Sequence, residues 1–148
     1  MAVTEINLHT PALLPADYCG DIHERLMLYK RLANTASPED LEVMEEELVD
    51  RFGKIPEPAR ALLETHRLRI YAKPLGVQKI DATAESIVIS FGRDSHVDPA
   101  KVIRLIQTDK RFRLAGNDRL RFEGAVLEIA PRARTIREIL ASIAATPP

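Results

Sequence analysis

The 148-residue sequence has one cysteine, Cys19, and six glycines scattered at positions 20, 53, 76, 92, 116 and 124. A single cysteine excludes a disulfide framework and makes a reducing cytosol the default compartment. Glycines so dispersed form neither GxxxxGK[ST] nor GxGxxG, so the backbone cradle that nucleotide phosphates need is missing. The chain also lacks any run of about 18 apolar residues, which excludes a membrane-spanning helix. Its opening, "MAVTEINLHT", has neither the basic start nor the apolar stretch of a secretory signal. His9, His23, His66 and His96 lie far apart, and no CxxC or HExxH brings ligands together for a metal.

Apolar residues make up 45% and charged residues 29%, an ordinary globular balance in a chain long enough for one domain. The net charge of −1 hides an uneven distribution. Residues 1–53 carry 11 acids against 4 Lys and Arg, whereas residues 54–148 carry 11 acids against 17. Two differently charged faces follow, and the chain as a whole is not a general nucleic-acid binder.

Periodicity gives the organisation. Residues 1–15 read as an extended lead-in segment or linker, broken by Pro11 and Pro15. Residues 16–148 read as a single domain. From about Asp21, Ile22, Leu26, Tyr29 and Ala33 predict the buried stripe of a first helix. In "SPEDLEVMEEELVDRFG", Ser37 is a cap, Pro38 suits the first helical position and Gly53 supplies a stop. Leu41, Met44, Leu48 and Phe52 share its core stripe, leaving Val43, Glu46, Glu47 and Asp50 on the opposite side. A third helix runs from near Pro56–Pro58 to Pro74. Then follow a short strand in "GVQKID", the alternating strand "SIVISFG", and a helix capped by Asp98 with Val102, Ile103 and Ile106 inward. "RFRLAGNDRLRF" predicts a hairpin with Phe112, Leu114, Leu120 and Phe122 on one face, and a last helix closes the chain. The second half is thus in β-β-α-β-β-α order, predicting an α+β fold with N-terminal helices and a small, mainly antiparallel sheet. Apolar stripes on both sides of the connection after helix three predict one shared core.

The candidate chemistry is sparse. Cys19, Asp21 and His23 in "CGDIHE" read more simply as a helix start than as a metal site. Ser95, His96 and Asp98 are adjacent on a turn, which does not orient a base toward a nucleophile; Asp98 as a helix cap explains the stretch. His66, beside Arg67 and Arg69, reads as a surface residue. Catalysis is not indicated.

Two surfaces remain. Arg111, Arg113, Arg119 and Arg121 alternate with the apolar face of the hairpin, forming a comb suited to phosphates or an acidic protein, or a solvated face whose stems cover apolar surface. No aromatic joins them, so base stacking is not indicated. On the second helix, Glu46, Glu47 and Asp50 repel one another at i,i+3 and i,i+4 spacing, with no Lys or Arg on that face to relieve them. Val43 lies exposed among them. An apolar centre with an acidic surround suits docking onto an arginine-bearing partner, though a solvated face is the plain alternative.

"INLHTPALLPADYCGDIHERLMLYKRLAN", "EELVDRFGKIPEPARALL" and "HRLRIYAKPLGVQKID" resemble the C-terminal domain of the bacterial transcription-repair coupling factors, the Mfd family. The resemblance runs from about Glu5 to about Leu140. It implies an excised, non-catalytic piece of a cytoplasmic ATP-driven DNA translocase that displaces stalled RNA polymerase and recruits UvrA for excision repair. ATP and Mg2+ would belong to modules upstream, and no cofactor is expected for this stretch. The resemblance further implies a regulatory role: docking on the UvrB-like module of the same protein, hiding its UvrA-binding surface and restraining the motor. Glu47 and Asp50 match the acidic docking positions of that family; Glu46 and Val43 join them only through the helical wheel. The rival expectations are a nucleic-acid-binding accessory domain using the arginine hairpin, an enzyme of unrecognised type, and a structural terminator that merely stabilises the motor.

Overall fold

A computed structural model describes residues 3–145. Among them, the order is β1 (Glu5–Asn7), α1 (Ile22–Ala33), α2 (Pro38–Phe52), α3 (Glu57–Ala72), β2 (Val77–Ala82), β3 (Ser86–Phe91), α4 (Pro99–Thr108), β4 (Phe112–Leu114), β5 (Arg119–Glu123) and α5 (Ile129–Ile143). The strands form one sheet in the order β1-β2-β3-β5-β4. β1 runs parallel to β2 and every other pairing is antiparallel, so the fold is α+β with a mixed sheet.

The punctuation acts as its chemistry dictates. Asp21, Ser37 and Asp98 accept hydrogen bonds from the backbone N–H of His23, Asp40 and Ala100, capping α1, α2 and α4. Gly53 ends α2 at φ 88°, and Gly76 closes the turn into β2 at φ 69°. At Gly76 a Cβ would meet the Asp94 carbonyl oxygen at 2.9 Å, so both conformation and space require glycine.

The lead-in residues are built into the domain. Glu5–Asn7 pair with Lys79–Asp81, Leu8 and Leu14 are buried, and the backbone N–H of Leu13 and Leu14 donate to the Pro58 carbonyl and the Tyr29 hydroxyl. Arg132, itself buried on α5, donates to the carbonyls of Leu8 (2.8 Å), Val126 (3.0 Å) and Leu127 (2.8 Å). That clamp ties the end of β1 to the last helix. Residues 1 and 2 lie outside the described residues.

Two apolar clusters replace the single expected core. One lies between the sheet and α3, α4 and α5, built on Ile80, Ile87, Ile89, Leu120, Phe122, Ile136 and Leu140. The other gathers Leu28, Leu32, Leu41, Met44, Leu48 and Leu63 among α1, α2 and α3. α3 contributes to both, Ala61, Leu68 and Ala72 to the first and Ala59, Leu62 and Leu63 to the second. Charge reinforces the junction. Glu45 of α2 is bridged by Arg60 and Arg67 of α3, and Arg67 also holds Glu64, which Arg137 of α5 reaches at 3.3 Å.

Inward assignments in three elements are corrected. In α1 the buried positions are Leu28 and Leu32, while Ile22, Leu26 and Ala33 are exposed. The helix carries apolar residues on two sides, and its α2 and α3 neighbours select which side is covered. In α4 Val102 is buried and Ile106 half-buried, but Ile103 is exposed; Leu105 packs inward instead. In the hairpin Phe112, Leu120 and Phe122 are buried, but Leu114 sits at the end of the edge strand and is exposed.

Candidate docking surface on the second helix

α2 presents its core stripe as expected, with Leu41, Met44 and Leu48 fully buried. Turning about 180° from that stripe brings Val43, Glu46 and Asp50 outward. Val43 is 61% exposed, and Glu46 and Asp50 are exposed. Among the described residues neither Glu46 nor Asp50 has a cationic partner, so both carboxylates are available to an incoming donor.

Glu47 differs, and here the sequence expectation fails. Its carboxylate accepts from Arg31 of α1 at 2.5 Å and lies 3.4 Å from Arg51 one turn along α2. Arg51 also pairs with Glu24 of α1. The repulsion expected between Glu47 and its neighbours is therefore relieved, by a cation from another helix that a single-helix wheel does not show. The four side chains are all partly exposed. Each such pair contributes roughly 0.2–1 kcal/mol, enough to orient side chains but not to bar an incoming guanidinium from sharing Glu47. Glu45 takes no part in the outward face, because Arg60 and Arg67 hold it against α3.

The surroundings extend the apolar element. Met27 of α1 is 62% exposed and Val49 of α2 is 47% exposed. A recess beside Val43 is lined by Arg31, Asn34, Thr35, Asp40 and Met44, at the turn joining α1 to α2. The surface thus offers exposed apolar side chains, free carboxylates and a shallow depression across two helices.

The arginine comb assembles only in part, with Arg113 beside Arg121 and acids among the cations. Arg111 precedes β4 and folds back in two directions: its guanidinium pairs with Asp109 at 2.7 Å and lies 5.1 Å from the centre of the Phe122 ring. The Arg111 guanidinium holds the Asp109 carboxyl below the usual carboxylate range through hydrogen bonds and charge. Arg113 and Arg121 are register partners that share Glu123, at 3.5 and 2.5 Å. Arg119 donates to the Ala115 carbonyl. Acids interleave the cations, so the face has little of the uniform positive field that phosphates require.

The other candidates have structural roles. Cys19 is buried, Asp21 caps α1 and His23 is exposed, and no group of three metal-ligating side chains occurs among the described residues. Asp98 caps α4, and the backbone N–H of His96 donates to the Leu75 carbonyl. His66 is half-buried rather than a plain surface residue; burial, then the adjacent Arg69, lowers its pKa from the ordinary histidine value. No helix among the described residues is long and apolar enough to cross a membrane.

Residues 8–102 match the family model described as the TRCF domain. The chain is 40% identical over 138 residues to the transcription-repair-coupling factor of Escherichia coli (strain K12), a match spanning 93% of this chain and 12% of that protein. It is 37% identical over 142 residues to the factor of Haemophilus influenzae, covering 95% of this chain and again 12% of the relative. The chain thus spans about an eighth of the length of these curated relatives. In fold it is similar to the crystal structure of a C-terminal domain of transcription-repair coupling factor, with a TM-score of 0.81 over 95% of this chain and 91% of that one, at 22% identity.

Proposed function

The chain belongs to the TRCF domain family of transcription-repair coupling factors, and from that premise we propose that it is a non-catalytic regulatory domain acting through the outward face of α2. In this reading the domain docks on the UvrB-like module of the full-length protein. It thereby covers the UvrA-binding surface and restrains the DNA translocase until RNA polymerase is engaged. Asp50 and Glu46 receive arginine side chains of that module, Val43 fills the apolar centre, and Glu47 shares its carboxylate between Arg31 and the incoming partner.

One observation carries the reading: Val43 stands 61% exposed beside two carboxylates that have no cationic partner among the described residues. An exposed apolar residue among unneutralised like charges gives the isolated domain little, and complements a basic surface with an apolar centre. Each charge-assisted hydrogen bond formed there is worth about 1.5–3 kcal/mol. A closed state held by two such bonds would be opened by a ligand with comparable preference for the open form.

The test is binding of the domain, intact and as Asp50→Arg, to a separately produced UvrB-like module at low and high salt. The proposal expects salt-sensitive binding by the intact domain and a loss of tenfold or more in the variant, the scale of one charge-assisted bond. Equal binding by both proteins would move the interface away from α2. The rival nucleic-acid reading expects steep salt-dependent DNA binding by the isolated chain, and the salt bridges within the arginine hairpin speak against it.

A further inference from the structure

The α1–α2 turn that borders the recess beside Val43 also borders, at Thr35, a second concave site of reversed charge. α3 and the residue that caps its C-terminus present His66, Arg69 and Lys73 at i, i+3 and i+7, on the side facing the α1–α2 turn and the start of β1. They line a cavity of roughly 390 Å³, on the scale of small ligand pockets, whose apolar walls include Ile70, Ala33 and Val3. Among the described residues no Asp or Glu lines it. The Arg69 guanidinium meets no carboxylate there. Its Nε donates to the Thr4 carbonyl at 3.4 Å and its Nη1 to Nδ1 of His66 at 3.4 Å, both long contacts. Lys73 is exposed with no ion-pair partner among the described residues.

From this arrangement we infer that the cavity is a binding site for an acidic peptide segment of a protein partner, taking a carboxylate on Arg69 and Lys73 and a neighbouring aliphatic side chain against Ile70 and Ala33. Two cations facing a recess without an internal counter-charge supply the first half of that chemistry, and the apolar walls supply the second. A nucleic acid fits less well. No Phe, Tyr or Trp lines the cavity for stacking, and two cations in a recess match one or two carboxylates rather than the continuous charge of an extended polyanion. The site borders the recess beside Val43 at Thr35 but is lined by none of Val43, Glu46, Glu47 and Asp50, and it does not rest on the role proposed for them.

His66 supplies an internal reporter. With burial and Arg69 both disfavouring its protonated form, and Arg69 and Lys73 the other charged groups lining the recess among the described residues, a bound carboxylate stabilises the imidazolium and moves its titration upward. The experiment is NMR titration of the isotope-labelled chain with acetyl-Leu-Glu-Glu-Leu-amide, with the same peptide bearing Gln for Glu, and with a 12-base-pair DNA duplex. The inference expects saturable shifts at Arg69, Ile70 and Lys73 with a dissociation constant below about 1 mM for the Glu peptide, and an upward move of the His66 titration. Lys73→Glu, at an exposed position that leaves the fold intact, weakens binding at least tenfold, and Arg69→Gln does the same. Equal shifts by the Gln peptide, shifts confined to the duplex, absence of saturable shifts, or unchanged affinity in Lys73→Glu would each overturn it.

Discussion

Replacing Arg67 by Met removes the centre of the charged ladder joining α2, α3 and α5 while keeping most of the side chain's volume. The Arg67 side chain is only 11% exposed and the Glu64 carboxylate it holds at 3.1 Å only 6%. Removing one partner of a buried pair costs about 3–5 kcal/mol, because the remaining charge is left desolvated. Glu64 keeps Arg137 at 3.3 Å and Glu45 keeps Arg60 at 2.9 Å, so the loss falls below that range, at roughly 2–3 kcal/mol. Urea denaturation at neutral pH reads this as a lower midpoint with an unchanged slope. In a chain of this size the melting temperature falls by about 5–10 °C. The double variant Arg67→Met with Glu64→Leu removes the stranded charge as well and recovers much of the loss. A single-variant effect within about 0.5 kcal/mol, or a double variant far less stable than the single, would refute the idea that this ladder joins the two apolar clusters.

Two further outcomes follow from a buried arginine and a half-buried histidine. Arg132→Met strands three carbonyls that Arg132 now satisfies, costing about 3 kcal/mol or more; faster amide exchange at residues 5–8 would show release of β1, and unchanged exchange would contradict the clamp. His66, its folded pKa below the ordinary value, takes up its proton more readily in the unfolded chain. Its contribution to stability is therefore intact above about pH 6.5 and declines as pH falls below that value toward the folded pKa. His66→Gln should flatten this part of the stability curve, and an unaltered curve would count against it.

What the sequence shows and what it hides divide along physical lines. Caps at Ser37 and Asp98, the helix start near Asp21 and the stop at Gly53 are local chemistry, and they stand where the residues indicate. The alternation of Ile87 and Ile89, and the core stripe of α2, are likewise set by one element's own period. β1 was legible only as an extended segment, because its three residues pair with a strand some seventy positions away. α1 carries apolar residues on two sides, and only its neighbours decide that Leu28 and Leu32 rather than Ile22 and Leu26 are covered. At the candidate site the outward placement of Val43, Glu46 and Asp50 follows from the helical period. The pairing of Glu47 with Arg31 does not, since it depends on how α1 lies against α2. Arg111 is a similar case: strand alternation puts it with Arg113, and the turn before β4 hands its guanidinium to Asp109. The pocket around His66, Arg69 and Lys73 had a sequence signal in their shared helical face, but the walls from β1 and α1 come only with the tertiary fold.

The central claim is that Asp50 meets a guanidinium of the UvrB-like module, and charge exchange tests it most directly. Asp50→Arg would be titrated against UvrB-like modules carrying single Arg→Asp reversals across their basic surface. The account predicts that one reversal restores binding lost by Asp50→Arg, with a coupling of at least tenfold between the two changes. If every reversal acts additively with Asp50→Arg, the two surfaces do not meet there, and the docking account of α2 is contradicted.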